Sequence, residues 1–276
     1  MDTFNTIISG ISSPQKELTP YYLSEHESIY NGDCLEILSR IPDDSIDMIF
    51  ADPPYLLSNN GFTCQNGRMV TVNKGAWDAS KGFENDSNFH TEWIAACRRI
   101  LKPEGTIWIS GTYHSIYQCG YLLQKQGFHM LNDIVWFKPN ASPNLSCRFF
   151  TASHETLLWA RKDKNAKHTF QYEQMKQGHF PEDKLKNENM QMRSVWSIPV
   201  TPKREKESGK HPTQKPVSLL TRIVAASTNP GDIVLDPFNG GGTTGVACKN
   251  AGERYYIGIE IDTAFCALTE QRLKDL

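Results

Sequence analysis

The run FADPPYLLSNN (50–60) holds a carboxylate, two prolines and a tyrosine where a buried strand must stop. Ile46 to Phe50 is short and mostly apolar, the pattern of a strand buried on both faces. Pro53 and Pro54 cannot continue it, because neither donates a ladder hydrogen bond and both fix φ. Asp52 and Tyr55 are therefore expected at a strand's C-terminal edge, where open α/β sheets bind ligands. A loop with a helix-capping aspartate is the alternative that this tetrapeptide alone leaves open.

A second stretch bears on the choice. Gly240, Gly242 and Gly245 give GxGxxG between a predicted strand, IVLD (233–236), and a predicted helix. Glycines at such a turn let the backbone bend tightly and approach a ligand, and the helix N-terminus favours electron-rich groups. Glu260 lies at the end of the next predicted strand, where a carboxylate can accept hydrogen bonds from ribose hydroxyls. A solvated strand end is its plain alternative. The turn alone fits NAD, FAD or S-adenosylmethionine. Its position does not fit an ordinary dinucleotide fold, which places these glycines at the first strand. Here most of the sheet must come from upstream, so the motif order is permuted.

Together the two motifs suit methylation of an amino group. The exocyclic amine of adenine is a poor nucleophile because its lone pair is delocalised into the ring. Two acceptors aimed at its protons, the Asp52 carboxylate and the Pro53 carbonyl, can localise that pair as charge develops. Tyr55 can stack on a base taken out of the duplex. A methyl sulfonium brings its own electrophile, so neither Cys34 nor Cys64 needs a covalent role.

DPPY at 52–55, HPTQKP at 211–216 and DPFNGGGTTG at 236–245, with GDCLEIL (32–38), KPNASPNLSCRFFT (138–151) and HETLLWARK (154–162), resemble the β-class of amino-methylating DNA methyltransferases. The resemblance is to the adenine-N6 branch that includes the HinfI-type enzymes, the cell-cycle-regulated methyltransferases and the second methyltransferase of the DpnII system. It spans about 28–276 and leaves 1–27 as an N-terminal extension. It implies a Rossmann-like S-adenosylmethionine-dependent α/β fold, with a twisted, mostly parallel seven-stranded sheet and helices on both faces. It also implies a catalytic Asp52-Pro53-Pro54-Tyr55 and a cofactor site drawn from Asp236, Pro237, Phe238, Gly240, Gly242, Thr243 and Thr244, with Asp52 at its edge. By the same resemblance Glu260 holds the ribose, Asp33 reaches the adenine, and His211, Thr213 and Lys215 line the methionine end. Asn239 and Gly241 occupy the variable positions of the glycine motif. Duplex or single-stranded DNA is the implied substrate, at a short site of the GATC or GANTC kind. A homodimer and a cognate restriction endonuclease are implied partners. Cytosine-N4 methylation is the neighbouring alternative, and Asp rather than Ser at position 52 favours adenine.

The elements around these motifs alternate as a layered α/β sheet requires. Strands are expected at GTIWISG (105–111), DIVWF (133–137), ETLLWAR (155–161) and YYIGIEI (255–261). Helices are expected at 89–101, where Trp93, Ile94, Cys97, Ile100 and Leu101 share one face, at 113–127, at 217–227 after Pro216, from the glycine turn to Gly252, and at the C-terminus. A Gly/Asn/Ser-rich loop (58–75) lies within a mobile segment expected at 56–88, in which Trp77-Asp78 anchors the returning chain. Residues 139–210 read as a DNA-recognition insertion on the sheet.

The 276 residues carry a net charge of −2, but the charge is segregated. Residues 1–60 hold ten acids against Lys16 and Arg40; residues 161–215 hold thirteen bases against seven acids. One basic face toward a polyanion is the expectation, a solvated insertion the alternative. Asn140, Asn144, Arg148, Lys203 and Arg204 are the candidate DNA contacts, with simple loop hydrogen bonding as the other reading of the first three. His211 can equally cap the segment before Pro212. The seven cysteines show no metal-ligand spacing, which points to reduced thiols and away from structural zinc. No 18-residue apolar run is present and the N-terminus is polar, so a cytoplasmic protein without a membrane span is expected.

Overall fold

The computed structural model describes residues 3–12, 18–55, 62–65, 68–71, 78–177, 180, 183, 185, 187 and 190–276. In chain order the elements are α1 (Thr3–Ile11), β1 (Tyr22–Leu23), β2 (Glu27–Asn31), α2 (Cys34–Leu38), β3 (Ile46–Ala51), β4 (Phe62–Gln65), β5 (Arg68–Thr71), α3 (Phe83–Ile100), β6 (Leu101–Gly111) and α4 (Ile116–Lys125). Then follow β7 (His129–Phe137), β8 (His154–Arg161), α5 (Tyr172–Gln177), β9 (Val195–Ser197), α6 (Val217–Ser227), β10 (Ile233–Asp236), α7 (Thr243–Ala251), β11 (Tyr255–Glu260) and α8 (Thr263–Lys274).

The sheet runs β1-β2-β11-β10-β3-β6-β8-β7-β9. Its inner seven strands agree with the number the resemblance implied; six lie where the sequence placed strands, and β2 is the seventh. Two short strands extend the edges: β1 antiparallel to β2, and β9 parallel to β7. From β2 to β6 every pairing is parallel, and β8 turns antiparallel to both β6 and β7. The late strands β10 and β11 are inserted between β2 and β3, which is the permutation the glycine turn required.

From Met48 onward β3 alternates between two faces, and both are buried because helices cover each side. Ile49 and Ala51 of β3 join Ile233 and Leu235 of β10 in a core shared with α1, α2, α3 and α4. Met48, Phe50 and Val234 face the other way, into a core shared with α6, α7 and α8. A polar residue inside β3, Asp47, is matched: its carboxylate accepts from Ile233 N at 2.9 Å and pairs with Lys102 at 2.6 Å.

One helix boundary is corrected, and two segments gain detail. Helix α3 begins at Phe83, since its first two turns are polar and lack the apolar periodicity of its buried end; Glu84 and Asp86 suit the positive N-terminus of the helix. The loop expected at 58–75 contains the β4–β5 hairpin, and its other residues lie outside those described, as does Trp77. Within 139–210, β9 pairs with β7 and Trp196 is buried, so part of this segment joins the sheet. At the other end, Phe4, Ile7, Ile8 and Ile11 of α1 pack into the core of the remaining chain.

Candidate functional site

Strands β3 and β10 lie side by side and parallel, with Val234 opposite Met48 and Leu235 opposite Ile49. From β3 the chain proceeds to one side of the sheet, and from β10 to the other. A crevice opens at this point of divergence, beyond the strands' C-terminal ends. DPPY and the glycine turn enter it together. One cleft is lined by Asp33, Asp52, Pro53, Tyr55, His211, Thr213, Lys215, Asp236, Pro237, Phe238, Gly240, Thr243, Thr244 and Glu260, so nearly all the expected catalytic and cofactor positions converge. Asp78, read from sequence as a mere anchor, also lines it and is fully buried.

The glycine turn is held by carboxylates on both sides. Asp236 accepts from Phe238 N at 3.0 Å and from Thr244 Oγ1 at 2.6 Å. Glu260 accepts from Gly240 N at 2.7 Å with one oxygen and from Asp262 N at 2.9 Å with the other. Burial pushes each of these carboxyls up to about 7. The position taken as variable, Asn239, is a brace: it accepts from Tyr256 Oη at 2.7 Å and donates to Thr269 Oγ1 at 2.8 Å.

Gly240 and Gly242 have φ of 52° and 71°, in the left-handed region that favours glycine. Their neighbours differ from expectation. A Cβ on Gly242 would stand 2.4 Å from Thr269 Cγ2 of α8, so this glycine is required by the backbone and by helix packing rather than by ligand approach. A Cβ on Gly240 would stand 3.2 Å from the His211 ring, toward the cleft lining.

The remaining cleft groups suit a nucleoside joined to an amino acid. Asp33 caps α2 through Oδ1, which accepts from Leu35 N and Glu36 N. The Phe238 ring meets the rings of Trp93 and Phe89 at centroid distances of 5.3 and 6.1 Å. His211 is buried, accepts from Thr213 N at 3.3 Å and packs edge-on against Phe265. Acceptors, an aromatic edge and a left-handed glycine turn thus share this cleft.

Asp52 caps no helix. Its Oδ1 accepts from Tyr55 Oη at 2.7 Å, and its Oδ2 pairs with Lys215 Nζ. Tyr55 Oη also lies 2.9 Å from Glu155 Oε2 and 3.5 Å from Ser110 Oγ. Lys215 Nζ is 3.7 Å from Glu155 Oε2 and 5.3 Å from the Tyr55 ring centroid. Lys138 completes the cluster with a 2.8 Å pair to Glu155 Oε1. Burial, reinforced by Glu155, raises the Asp52 carboxyl despite Lys215. Burial acts the same way on Glu155, but Lys215 and Lys138 outweigh it and hold that carboxyl down at about 2. Tyr55 is buried, with Lys215 at its ring, which narrows the surface left for stacking a base.

Sequence reading missed Glu155, Lys138 and Ser110. Glu155 sits in a strand whose alternation signals only a core, and its partner Tyr55 is 100 positions away.

In the 139–153 loop, Asn144 is a brace. Its side chain donates to Phe149 O at 2.7 Å and accepts from Ser146 N and Oγ, which favours the loop-bonding reading over base contact. Asn140 accepts from Val200 N at 3.0 Å. Arg148, Lys203 and Arg204 are exposed. Three of the thirteen bases counted in the basic stretch are committed elsewhere: Lys162 pairs with Asp44, Lys215 with Asp52, and Arg161 donates to Ala166 O.

Comparison with known proteins agrees with this layout. Residues 46–271 match a family model described as DNA methylase, covering N6 and N4 methyltransferases. Among curated relatives, the Type II methyltransferase M2.LlaDCHI of Lactococcus lactis subsp. cremoris is 48% identical over 255 residues, covering 92% of this chain and 91% of that one. M2.DpnII of Streptococcus pneumoniae is 47% identical over 256 residues, covering 92% of each. Among solved structures, the M1.HpyAVI–SAM complex matches with a TM-score of 0.63 and 32% identity, covering 90% of this chain and 98% of that one. The cytosine-N4-specific PvuII DNA methyltransferase matches with a TM-score of 0.70 at 20% identity over 92% of this chain and 88% of that one, a likeness of fold.

Proposed function

The chain belongs to the N6/N4 DNA methylase family, and from that premise we propose that it methylates the N6 amino group of adenine at a short DNA site. S-adenosyl-L-methionine is its methyl donor. When bound, that cofactor supplies an electrophilic methyl group on a sulfonium. The observation that carries the reading is the Asp52 carboxylate at the end of β3, opening into the cleft that the Gly240 turn and Glu260 also line.

In this reading Asp33, Phe238 and Glu260 hold the nucleoside part, and His211, Thr213 and Lys215 border the methionine part. Asp52 and the Pro53 carbonyl accept the two amine protons of a flipped adenine, which localises the nitrogen lone pair as bond formation begins. One of those protons passes to Asp52 as the N–CH3 bond replaces the methyl–sulfur bond, and S-adenosylhomocysteine would leave as the neutral thioether. Tyr55, Pro53 and Pro54 wall the base, and Thr243 and Thr244 fix the turn beneath it. In this reading 28–276 is the methyltransferase unit, against which α1 packs, and recognition is drawn from the exposed parts of 139–210. Further features of the proposal are a cytoplasmic homodimer and a cognate restriction endonuclease acting at the same site. Incubation with labelled cofactor and unmodified genomic DNA, followed by digestion to nucleosides, tests the reaction. Label in N6-methyladenine supports it; label in N4-methylcytosine replaces it with the neighbouring chemistry.

The cofactor is cationic at its sulfonium, so it favours ionised carboxylates in the cleft. Asp236 and Glu260, both raised to about 7 by burial, should lose protons as it binds. Affinity is therefore expected to rise from pH 6 to pH 8. Without cofactor the sign reverses for folding: the native state binds protons that the unfolded state has released, so stability from these two groups declines as pH rises from about 4 toward 7. Calorimetry of cofactor binding in buffers of different ionisation enthalpy checks the first point; affinity that is flat with pH would contradict it.

Lys203 and Arg204, exposed on the short turn 203–206, are proposed phosphate contacts. Removing either should weaken binding almost equally on all sequences and lower the slope of log K against log salt by about 1. Arg148 is the proposed base reader, whose loss should cost about 1–3 kcal/mol only against the correct base. Salt titrations of duplex binding distinguish the two behaviours; unchanged slopes in Lys203→Ala and Arg204→Ala would place the DNA elsewhere.

A further inference from the structure

Both oxygens of Asp52 are taken: Oδ1 by the Tyr55 hydroxyl at 2.7 Å and Oδ2 by the Lys215 ammonium. An amine that is to donate to this carboxylate must displace one of them. Displacement alone would be expensive, since a buried ammonium or hydroxyl deprived of its acceptor loses its compensation for lost water. The structure supplies a second acceptor for each. Glu155 Oε2 already lies 2.9 Å from Tyr55 Oη and 3.7 Å from Lys215 Nζ. The phenol has one proton and two carboxylates in reach, so it can commit wholly to Glu155. The ammonium needs to close a gap of about 1 Å to make a charge-assisted hydrogen bond there.

Glu155 is equipped to receive both. It projects from β8, 9% exposed, and Lys138 occupies only its other oxygen, Oε1, at 2.8 Å. Two ammonium groups keep it ionised, whereas Asp52 is pushed toward its neutral form by burial and by Glu155 itself. The charged groups acting on this cluster are Asp52 after β3, Lys138 after β7, Glu155 in β8, Lys215 before α6 and Asp236 at the end of β10, with neutral Ser110 from β6.

We propose that Glu155 is a positioning residue that takes over Lys215 and the Tyr55 hydroxyl when the target amine docks, freeing Asp52 to accept the amine's proton. This rests on the reading of Asp52 as the amine acceptor. No bond other than hydrogen bonds changes in the handover.

The test is the Glu155→Gln variant, which keeps shape but loses the charge that draws Lys215 away. Single-turnover methyl transfer at saturating cofactor and DNA is expected to fall about 100-fold, the scale of a misplaced reacting group. Cofactor affinity should stay within threefold. The acid limb of the rate profile should move to lower pH, because the Glu155 charge that raises the Asp52 carboxyl is gone. Glu155→Asp, which restores the charge on a shorter arm, should recover part of the rate. A plateau rate within threefold of wild type, an unmoved acid limb, or a Glu155→Asp variant no better than Glu155→Gln would overturn the proposal. So would loss of cofactor binding or of cooperative melting in both variants, which would make Glu155 merely structural. The rate can be read on whichever amine the wild type methylates, so a cytosine product would defeat the adenine reading without deciding this one.

Discussion

Asp52→Ala is expected to reduce methyl transfer by at least 100- to 1,000-fold while leaving cofactor affinity within a few-fold. The magnitude is that of removing one positioned group at the centre where charge develops, about 3–4 kcal/mol of barrier. The protein should survive the change. Lys215, which loses Asp52, still has Glu155 at 3.7 Å, and Tyr55 still has the same carboxylate at 2.9 Å. The cofactor should bind nearly as before, because the turn is held by Asp236 and Glu260 and not by Asp52. Rapid-quench kinetics and calorimetry on one preparation separate the two effects. A variant with more than a tenth of wild-type activity would remove Asp52 from the reaction.

The second large effect is on binding. Changing both Phe238 and Glu260 to Ala should weaken cofactor affinity by about 100-fold or more. Burying an aromatic ring contributes about 1.5–3 kcal/mol and hydrogen bonds to a charged group about as much, and a tenfold change is 1.4 kcal/mol. Glu260 acts twice, since its loss also releases Gly240 N from its 2.7 Å bond and loosens the turn. Calorimetry on a variant with native circular dichroism gives the answer; unchanged affinity would move the nucleoside to another part of the cleft. Gly242→Val is a poorer probe, because its Cβ would run into Thr269 and damage the packing of α8 before it reached any ligand.

What the sequence disclosed follows from where the signals are local. The strand IVLD and the helix 217–227 match the structure end to end, as both are short, apolar and bounded by Pro or Gly. DPPY and the glycine turn were legible because prolines and glycines mark where a chain must stop or bend. Their adjacency was inferred from chemistry, and the pairing of β3 with β10 supplies its physical basis. Strand β9 is three residues long and lies within SVWSIPV (194–200), whose apolar character stands out in sequence, but its edge partner 60 positions earlier leaves no local signal. The start of α3 was hidden by its polar first turns. Asn239 looked replaceable because nothing in a glycine motif shows that Tyr256 and Thr269 converge on it. Glu155 was invisible for the same reason: its meaning lies in three contacts from distant segments.

The most direct measurement is a crystal structure of the protein with a non-reactive cofactor analogue and a duplex containing its methylation site. The target adenine should lie in the cleft beside the Gly240 turn, with N6 within hydrogen-bond distance of both the Asp52 carboxylate and the Pro53 carbonyl. A flipped base whose amine faces other acceptors, or a target base seated away from DPPY, would contradict the assignment of this cleft as the place where the methyl group is passed.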